Sequence, residues 1–366
     1  MVSLSPNIGK IAGITIQLHW TFLLLIFLAF ILLATSSQGL YLFSLIILLF
    51  VCVLIHELAH SLVSKRNGIG VKKIVLLPIG GASVINLDEV KPKIEFKIAL
   101  AGPLMSILIG IICGALFVYA PTGLVKQALF FLFEINILLG LFNLLPGFPL
   151  DGGRVLRSYL QRKHSFIKST QLAVGVSKWV VVALVIGTVV YAAVIPNATF
   201  TYREFIVFWD FIIALFLYDG AKAELQSAEV KEYTSKITSG SMISKNFVMA
   251  KSGMQTKYLY RLLLEKGTRI VLFRKGSKVY SIRNPQLGML IRDSDVIKKS
   301  DVHLFNVEIP QISSNEKLSK AIETMRNDEL NTLVVMKGRQ IAGILNAQYL
   351  DSALDVYLSK KKGRFR

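Results

Sequence analysis

The sequence is poor in charged residues, in acidic residues above all, and in cysteine. Charged residues make up only 18% of its 366 residues and hydrophobic residues 53%. This balance excludes an ordinary soluble enzyme and indicates a polytopic membrane protein. The only cysteines, Cys52 and Cys113, both lie in apolar segments, which argues against a disulfide framework and favours a packing role for both.

The shortage of acidic residues leaves a large positive charge. The chain has 42 Lys and Arg against 23 Asp and Glu, a formal net charge of +19. Such a charge could indicate a nucleic-acid-binding protein, but the basic residues fall mainly in loops between apolar runs, and no basic face interleaved with aromatic residues is evident. We therefore expect no nucleic-acid partner and attribute the charge to membrane topology.

Long apolar runs are abundant. Runs that approach the roughly 20 residues needed to cross a bilayer lie at about 20–36, 41–63, 95–119, 124–145, 172–194 and 204–220. Basic residues cluster between the second and third runs and between the fourth and fifth, so the positive-inside rule places these loops and both termini in the cytosol. The predicted fold is an α-helical multi-pass protein of the cell membrane, with about six transmembrane helices in contact with the lipid bilayer.

The second run contains the motif H-E-x-x-H, formed by His56, Glu57 and His60. On a helix of about 3.6 residues per turn, the two histidines share one face and can bind one metal ion. Zinc is the expected ion, because it takes neutral nitrogen ligands and leaves one position for water in catalytic sites. Glu57 would be the base that accepts a proton from that water. Ionisable side chains inside an apolar run are costly, which favours a functional site over a chance match.

The fourth run is followed by a candidate third ligand. Residues 143–154 read N-L-L-P-G-F-P-L-D-G-G-R, in which two prolines and three glycines must break the helix. A broken helix at membrane depth is tolerated where it lines a cavity. Asp151 is therefore placed to join the two histidines as a zinc ligand. The alternative is that Asp151 is an ordinary turn or N-cap residue.

Two segments between these motifs have structural interpretations. Residues 74–85 are β-prone and interrupted by proline and glycine, which predicts a hairpin-like excursion whose edge could pair with an extended peptide. A plain connecting loop is the alternative. Ala101, Gly102 and Pro103 open the third run with small residues, which we interpret as a means of close helix packing.

The two motifs together, about 90 residues apart, resemble those of the site-2 protease family of intramembrane zinc metalloproteases. Gly80-Gly81 and Ala101-Gly102-Pro103 match further signatures of this family, so the resemblance covers roughly residues 13–220. It implies that Asp151 is the third zinc ligand and that Asn143 lines the active site. It also implies that the substrate is a single-pass membrane protein, such as an anti-sigma factor or a membrane-tethered regulator.

The predicted function is that of a zinc-dependent intramembrane endopeptidase, which cuts a peptide bond in or near a transmembrane segment of its substrate. The alternative is a membrane metal transporter or sensor that uses the same ligands. Glu57 distinguishes the two, because it is indispensable in a hydrolase and idle in a transporter. Ser106 departs from the amide residue that the family has after its Ala-Gly-Pro turn, and we expect this departure to leave the zinc site untouched.

The composition changes after the last apolar run. The sequence predicts a membrane protease domain at 1–222 and a cytosolic domain at 223–366, which is more charged and has no spanning run. Two blocks, roughly 240–295 and 300–355, share the order strand, helix, strand, strand, helix. They resemble a tandem pair of CBS domains, an α+β unit that commonly binds adenine nucleotides and regulates an attached domain.

The residues expected to bind a nucleotide are replaced in both blocks. The usual pattern is Gly, then a hydroxyl residue three positions on, then Asp three further. The second block has Gly343, Asn346 and Tyr349 instead, and the first has Ser281, Asn284 and Leu287. These replacements make nucleotide binding doubtful and favour steric or dimerising regulation, with a homodimer formed through the CBS-like domains.

Overall fold

The computed structural model describes residues 5–35, 37–78, 80–85, 90–194, 200–268, 270–282, 287–288, 296–297, 307–327, 332–347, 350, 352 and 354. The chain divides into two compact units, Met1–Ala228 and Glu229–Arg366. The division falls within one long helix, Phe200–Lys236, which continues beyond the last apolar run.

The first unit is mainly helical. Its helices are α1 (Trp20–Ala34), α2 (Gly39–Arg66), α3 (Pro92–Tyr119), α4 (Leu124–Asn143), α5 (Asp151–Leu160), α6 (Phe166–Val194) and α7 (Phe200–Lys236). Four of them, α2, α3, α4 and α6, are long and apolar enough to cross a membrane. With 15 residues, α1 is about 22 Å long and shorter than a typical crossing. The unit is therefore a helical membrane unit with four long apolar helices.

A four-stranded sheet accompanies these helices, in the order β1-β2-β3-β4. Its strands are β1 (Asn7–Ile11), β2 (Ile14–Leu18), β3 (Val71–Leu77) and β4 (Gly80–Ile85). The antiparallel pairing of β3 with β4 confirms the hairpin predicted at 74–85. The pairing of β2 with β3 is parallel, and Ile14 and Ile74 are fully buried. The sequence did not predict β1 and β2.

The second unit contains the strand, helix, strand, strand order twice. The elements formed by its described residues are a 3₁₀ turn (Ser239–Met242), β5 (Val248–Ala250), α8 (Thr256–Lys266), β6 (Val271–Lys275), β7 (Lys278–Ser281), β8 (Val307–Ile309), β9 (Gln311–Ser313), α9 (Leu318–Asn327), β10 (Thr332–Lys337) and β11 (Gln340–Asn346). In each repeat the first strand pairs in parallel with the second, which forms an antiparallel hairpin with the third. This is a CBS-like α+β region. Asn284 and Tyr349 lie outside the described residues.

Each repeat has its own apolar core. In the first, Leu259 of α8 packs with Val271 of β6, and in the second Leu318 of α9 packs with Leu333 of β10. All four side chains are buried. The helices predicted in these blocks are therefore held by ordinary hydrophobic burial against a sheet.

Candidate metal centre

Two histidines of α2 form one side of the candidate site. His56 and His60 are four residues apart on this helix, and both are buried. One helical turn brings their side chains to the same face, and their Nε2 atoms lie 3.1 Å apart. The H-E-x-x-H spacing predicted this geometry.

Asp151 reaches the histidines because the chain breaks after α4. In the loop before α5, Phe148 is fully buried, and its amide donates a hydrogen bond to Ser177 Oγ of α6 at 2.8 Å. This loop leads directly into Asp151, the first residue of α5. Asp151 Oδ2 lies 3.2 Å from His56 Nε2 and 3.1 Å from His60 Nε2.

The N-cap alternative for Asp151 does not fit the structure. The N-cap position of α5 is Leu150, and the Asp151 carboxylate faces the two imidazoles. Within the described residues, this trio is the group of His, Cys, Asp or Glu side chains whose ligand atoms lie within 4.8 Å of one another.

The donor set fits zinc. In a tetrahedral site with Zn–N and Zn–O distances near 2.0–2.1 Å, neighbouring ligand atoms are about 3.3 Å apart, close to the separations observed here. His60 Nδ1 lies 2.6 Å from the carbonyl oxygen of Ile98, which can only accept. A neutral His60 ring therefore carries its proton on Nδ1 and presents a bare lone pair on Nε2. That lone pair faces a carboxylate oxygen, an arrangement that a cation between them would stabilise.

A second hydrogen bond orients the other imidazole. His56 Nδ1 lies 2.9 Å from Ser106 Oγ, and both residues are buried. Metal-binding histidines typically use the second ring nitrogen in this way, which fixes the tautomer and the ring orientation. The expectation that Ser106 leaves the zinc site untouched is therefore wrong, because its hydroxyl contacts a candidate ligand directly.

Gly102 of α3 borders the site more closely than the sequence suggested. A Cβ at this position would lie 2.6 Å from His56 Nε2 and would also overlap the ring of His60. Because glycine has no side chain, the space beside both candidate ligand nitrogens stays open. Gly102 therefore shapes the candidate site, in addition to the packing role inferred from the sequence.

The structure also places the two candidate catalytic residues. Glu57 is half-buried and lies between the histidines in the sequence of α2. Asn143 is the last residue of α4, and its amide donates to the carbonyl oxygen of Leu139 at 2.9 Å. The catalytic roles of both residues remain predictions.

Comparison with known proteins identifies the family. The model described as Peptidase family M50 matches residues 44–127 and 120–187. Zinc metalloprotease MJ0392 of Methanocaldococcus jannaschii is 29% identical over 361 residues, which cover 98% of each chain. The solved structure of a site-2 protease from Methanocaldococcus jannaschii is 33% identical, with 60% of this chain and 95% of that one covered and a TM-score of 0.43. This chain belongs to the site-2 proteases of peptidase family M50.

This site-2 protease is an intramembrane zinc metalloprotease and a multi-pass membrane protein, and its family acts on membrane protein substrates. His56 and His60 fall in the first segment matched by the family model, and Asp151 falls in the second. The family assignment decides between the two predicted functions in favour of the protease over the metal transporter.

The chain is also similar to the solved CBS domain pair of protein MJ0100. The match covers 33% of this site-2 protease and 97% of that chain, at 12% identity and a TM-score of 0.27. The CBS-like description of the second unit rests on its own order of strands and helices, given above.

Proposed function

We propose that this site-2 protease hydrolyses a peptide bond in or near a transmembrane segment of its substrate, at a zinc ion held by His56, His60 and Asp151. The observation that supports these ligands is the convergence of three donor atoms from α2 and α5, each 3.1–3.2 Å from the other two. The buried hydrogen bonds on the far side of both imidazoles support the same assignment.

The residues around the zinc ion have separate roles in the proposed mechanism. When bound, zinc supplies Lewis acidity, which lowers the pKa of water and polarises a carbonyl group. The Glu57 carboxylate accepts the proton of the attacking water and delivers it to the nitrogen of the leaving amine. The Asn143 amide donates a hydrogen bond to the oxyanion or to the substrate backbone.

The substrate must be extended where it is cut, because a helix hides its carbonyl groups in hydrogen bonds. β4 is the last strand in the order of its sheet and lies against α2, which carries the histidines. An extended peptide added along β4 would have its backbone paired close to that helix. Substrates with Gly, Pro or Asn near the cut are favoured, since these residues lower the cost of unwinding.

The proposed topology has six crossings, made by the four long apolar helices together with α1 and the first part of α7. An even number of crossings places both termini on one side, and the basic loops place that side in the cytosol. His56 precedes Lys65 by nine residues, so the metal would lie about 13 Å below the cytosolic end of α2. By resemblance, the substrates are single-pass regulators such as anti-sigma factors. The CBS-like unit is proposed to regulate cleavage sterically or as a homodimer.

The test is cleavage of candidate transmembrane peptides by the full-length protein in detergent or lipid vesicles, with products identified by mass spectrometry and zinc measured by metal analysis. Glu57→Gln should retain zinc and reduce cleavage by about a thousandfold or more, because the general base is lost. Glu134→Gln, the same change at an exposed position of α4, is the control and should retain activity. Full activity of Glu57→Gln would refute the proposed mechanism.

A further inference from the structure

A buried ionic cluster joins three helices of the first unit. Arg157 of α5 donates from Nε to Glu95 Oε1 of α3 at 3.0 Å and from Nη2 to the same oxygen, and it donates from Nη1 to Glu224 Oε1 of α7 at 2.7 Å. Gln161 donates to the second oxygen of Glu95 at 3.2 Å. Arg157 and Glu95 are only 5% and 7% exposed, so water does little to screen this cluster.

The cluster lies on the elements that carry the metal site. Arg157 follows Asp151 by six residues on the same short helix, about 9 Å along its axis. On α3, Glu95 belongs to the face that also presents the carbonyl of Ile98 and the side chain of Ser106 to the histidines. The Arg157–Glu95 pair therefore fixes the helix of the carboxylate ligand relative to the helix that orients the imidazoles.

Two aromatic contacts extend this link, one to the loop before Asp151 and one to the start of α6. The guanidinium of Arg157 lies 5.1 Å from the ring centroid of Phe148 and 4.9 Å from that of Phe166. Phe148 is the fully buried residue that anchors the loop. Arg157 is thus linked to Asp151 from two directions. It lies on the helix that begins at Asp151, and it contacts Phe148 in the loop that precedes this helix.

The geometry of the cluster suits an arginine better than a lysine. Burial acts to lower the pKa of Arg157, but Glu95 and Glu224 outweigh it and hold this pKa above its ordinary value. A planar guanidinium can donate to two carboxylates in different directions at once, whereas a lysine offers one compact charge. With lysine at this position, one of the two glutamates would lose its partner, and an unpaired buried carboxylate is costly.

We infer that Arg157 is a positioning residue for the metal ligand Asp151, and that Glu95 and Glu224 hold it in place. This inference rests on the proposed function, in which Asp151 binds zinc. Since Glu224 lies on α7, a displacement of that helix would reach Asp151 through Arg157. None of the three residues was a candidate from the sequence alone.

The first test is Arg157→Lys in the full-length protein, with zinc affinity measured by chelator competition and ligand geometry by the visible absorption of the cobalt-substituted protein. We expect zinc affinity to fall about tenfold to a hundredfold, the usual range for residues that support metal ligands, and the cobalt spectrum to change. Arg162→Lys is the matched control, because Arg162 is exposed at the end of α5 and stacks on Tyr159. Arg162→Lys should change neither quantity.

The second test is rescue by the double variant Arg157→Lys with Glu224→Gln. Glu224→Gln removes the charge that lysine cannot pair, so the double variant should bind zinc more tightly than Arg157→Lys. We expect it to recover at least half of the lost affinity on a logarithmic scale, so that a hundredfold loss becomes a loss of about tenfold or less. Unchanged affinity and spectrum in Arg157→Lys would overturn the inference while the wild type still binds zinc and cleaves. The inference would also be overturned if Arg157→Lys lost zinc affinity with an unaltered cobalt spectrum and without rescue by Glu224→Gln. Such a result would mean that the substitution affects folding alone. A wild-type protein without zinc or cleavage would instead refute the proposed function.

Discussion

The two units of the molecule distribute polar and apolar side chains in opposite ways. The described part of the first unit buries ionisable residues and exposes large apolar ones; besides its two cysteines, its buried ionisable residues are His56, His60, Glu95 and Arg157. In the described part of the second unit, the buried polar side chains are hydroxyls, those of Thr234, Ser239, Thr256 and Thr268. Its exposed large apolar residues are Tyr258, Tyr260 and Leu264.

The surroundings of each unit explain this difference. Lipid accepts an apolar surface, so the first unit can expose residues such as Phe27 and Val189 without cost, while an ionisable group buried inside it is costly unless it is paired. The second unit gains its stability from apolar burial, as in the cores around Leu259 and Leu318. Substitutions of similar size should therefore impair chemistry in the first unit and stability in the second.

Among the substitutions that test this contrast, Gly102→Ala should have the largest effect on zinc affinity and cleavage. The added methyl group would occupy the space beside His56 Nε2 and His60, where the proposed zinc ion would bind. Displacing ligand atoms by about 1 Å can cost about a hundredfold in rate, so we expect cleavage and zinc affinity to fall at least that far. Chelator competition and peptide cleavage by the full-length protein measure both quantities.

Two glycine controls separate this effect from helix stability. Gly175→Ala in α6 adds a methyl group that has no described atom of a neighbouring residue within 4 Å, and it should leave both quantities unchanged. Gly343→Ala in β11 adds one that would lie 2.8 Å from Ile243 Cβ and 2.9 Å from the Ser244 carbonyl oxygen. It should destabilise the second unit by about 1–3 kcal/mol and leave zinc affinity intact. Equal zinc loss in all three variants would break the contrast between the units.

A smaller effect is expected from Ser106→Ala, which removes the hydroxyl that contacts His56 Nδ1. The imidazole would keep its place on α2 but lose the partner that fixes its orientation, so zinc affinity should fall about tenfold. Ser169→Ala is the matched control, because the buried hydroxyl of Ser169 in α6 has no hydrogen-bond partner among the residues that the structure describes. If the two alanine variants bind zinc equally well, the orienting role of Ser106 is wrong.

The sequence predicted those parts of the site that depend on local spacing. His56 and His60 share a face because they are four residues apart on a helix, and Asp151 follows a break that proline and glycine enforce. The contacts of Gly102 and Ser106 depend on how α3 is rotated against α2, which no local pattern fixes. Gly102 and Ser106 lie seven and eleven residues after Glu95, on the same face of α3. This spacing alone does not predict which residues of another helix they contact.

The fold follows the same division between local and distant contacts. The four long apolar helices and the repeated strand and helix order of the second unit were predicted from composition and periodicity. Strand β2 pairs in parallel with β3, whose residues are more than 50 positions away, and no local pattern shows this pairing. The antiparallel hairpin of β1 with β2 is local, and it was missed although both strands lie within residues 7–18. The cluster of Arg157 was missed because its carboxylates come from helices distant in sequence.

The smallest effect is expected when an adenine nucleotide is added to the protein. At Gly343, the glycine of the usual CBS pattern, Ile243 and the Ser244 carbonyl oxygen occupy the space that a side chain would fill, and Asn346 replaces the hydroxyl residue. A nucleotide bound at a hundred times its Kd would stabilise the second unit by about 2.7 kcal/mol, which for a domain of this size corresponds to several degrees in Tm. We therefore expect ATP or AMP at millimolar concentration to shift the melting of the full-length protein by less than about 1 °C. A saturable shift of several degrees would show that the second unit binds ligands through residues outside the usual pattern. The contrast between a first unit in which substitutions impair chemistry and a second unit in which they impair stability would then fail.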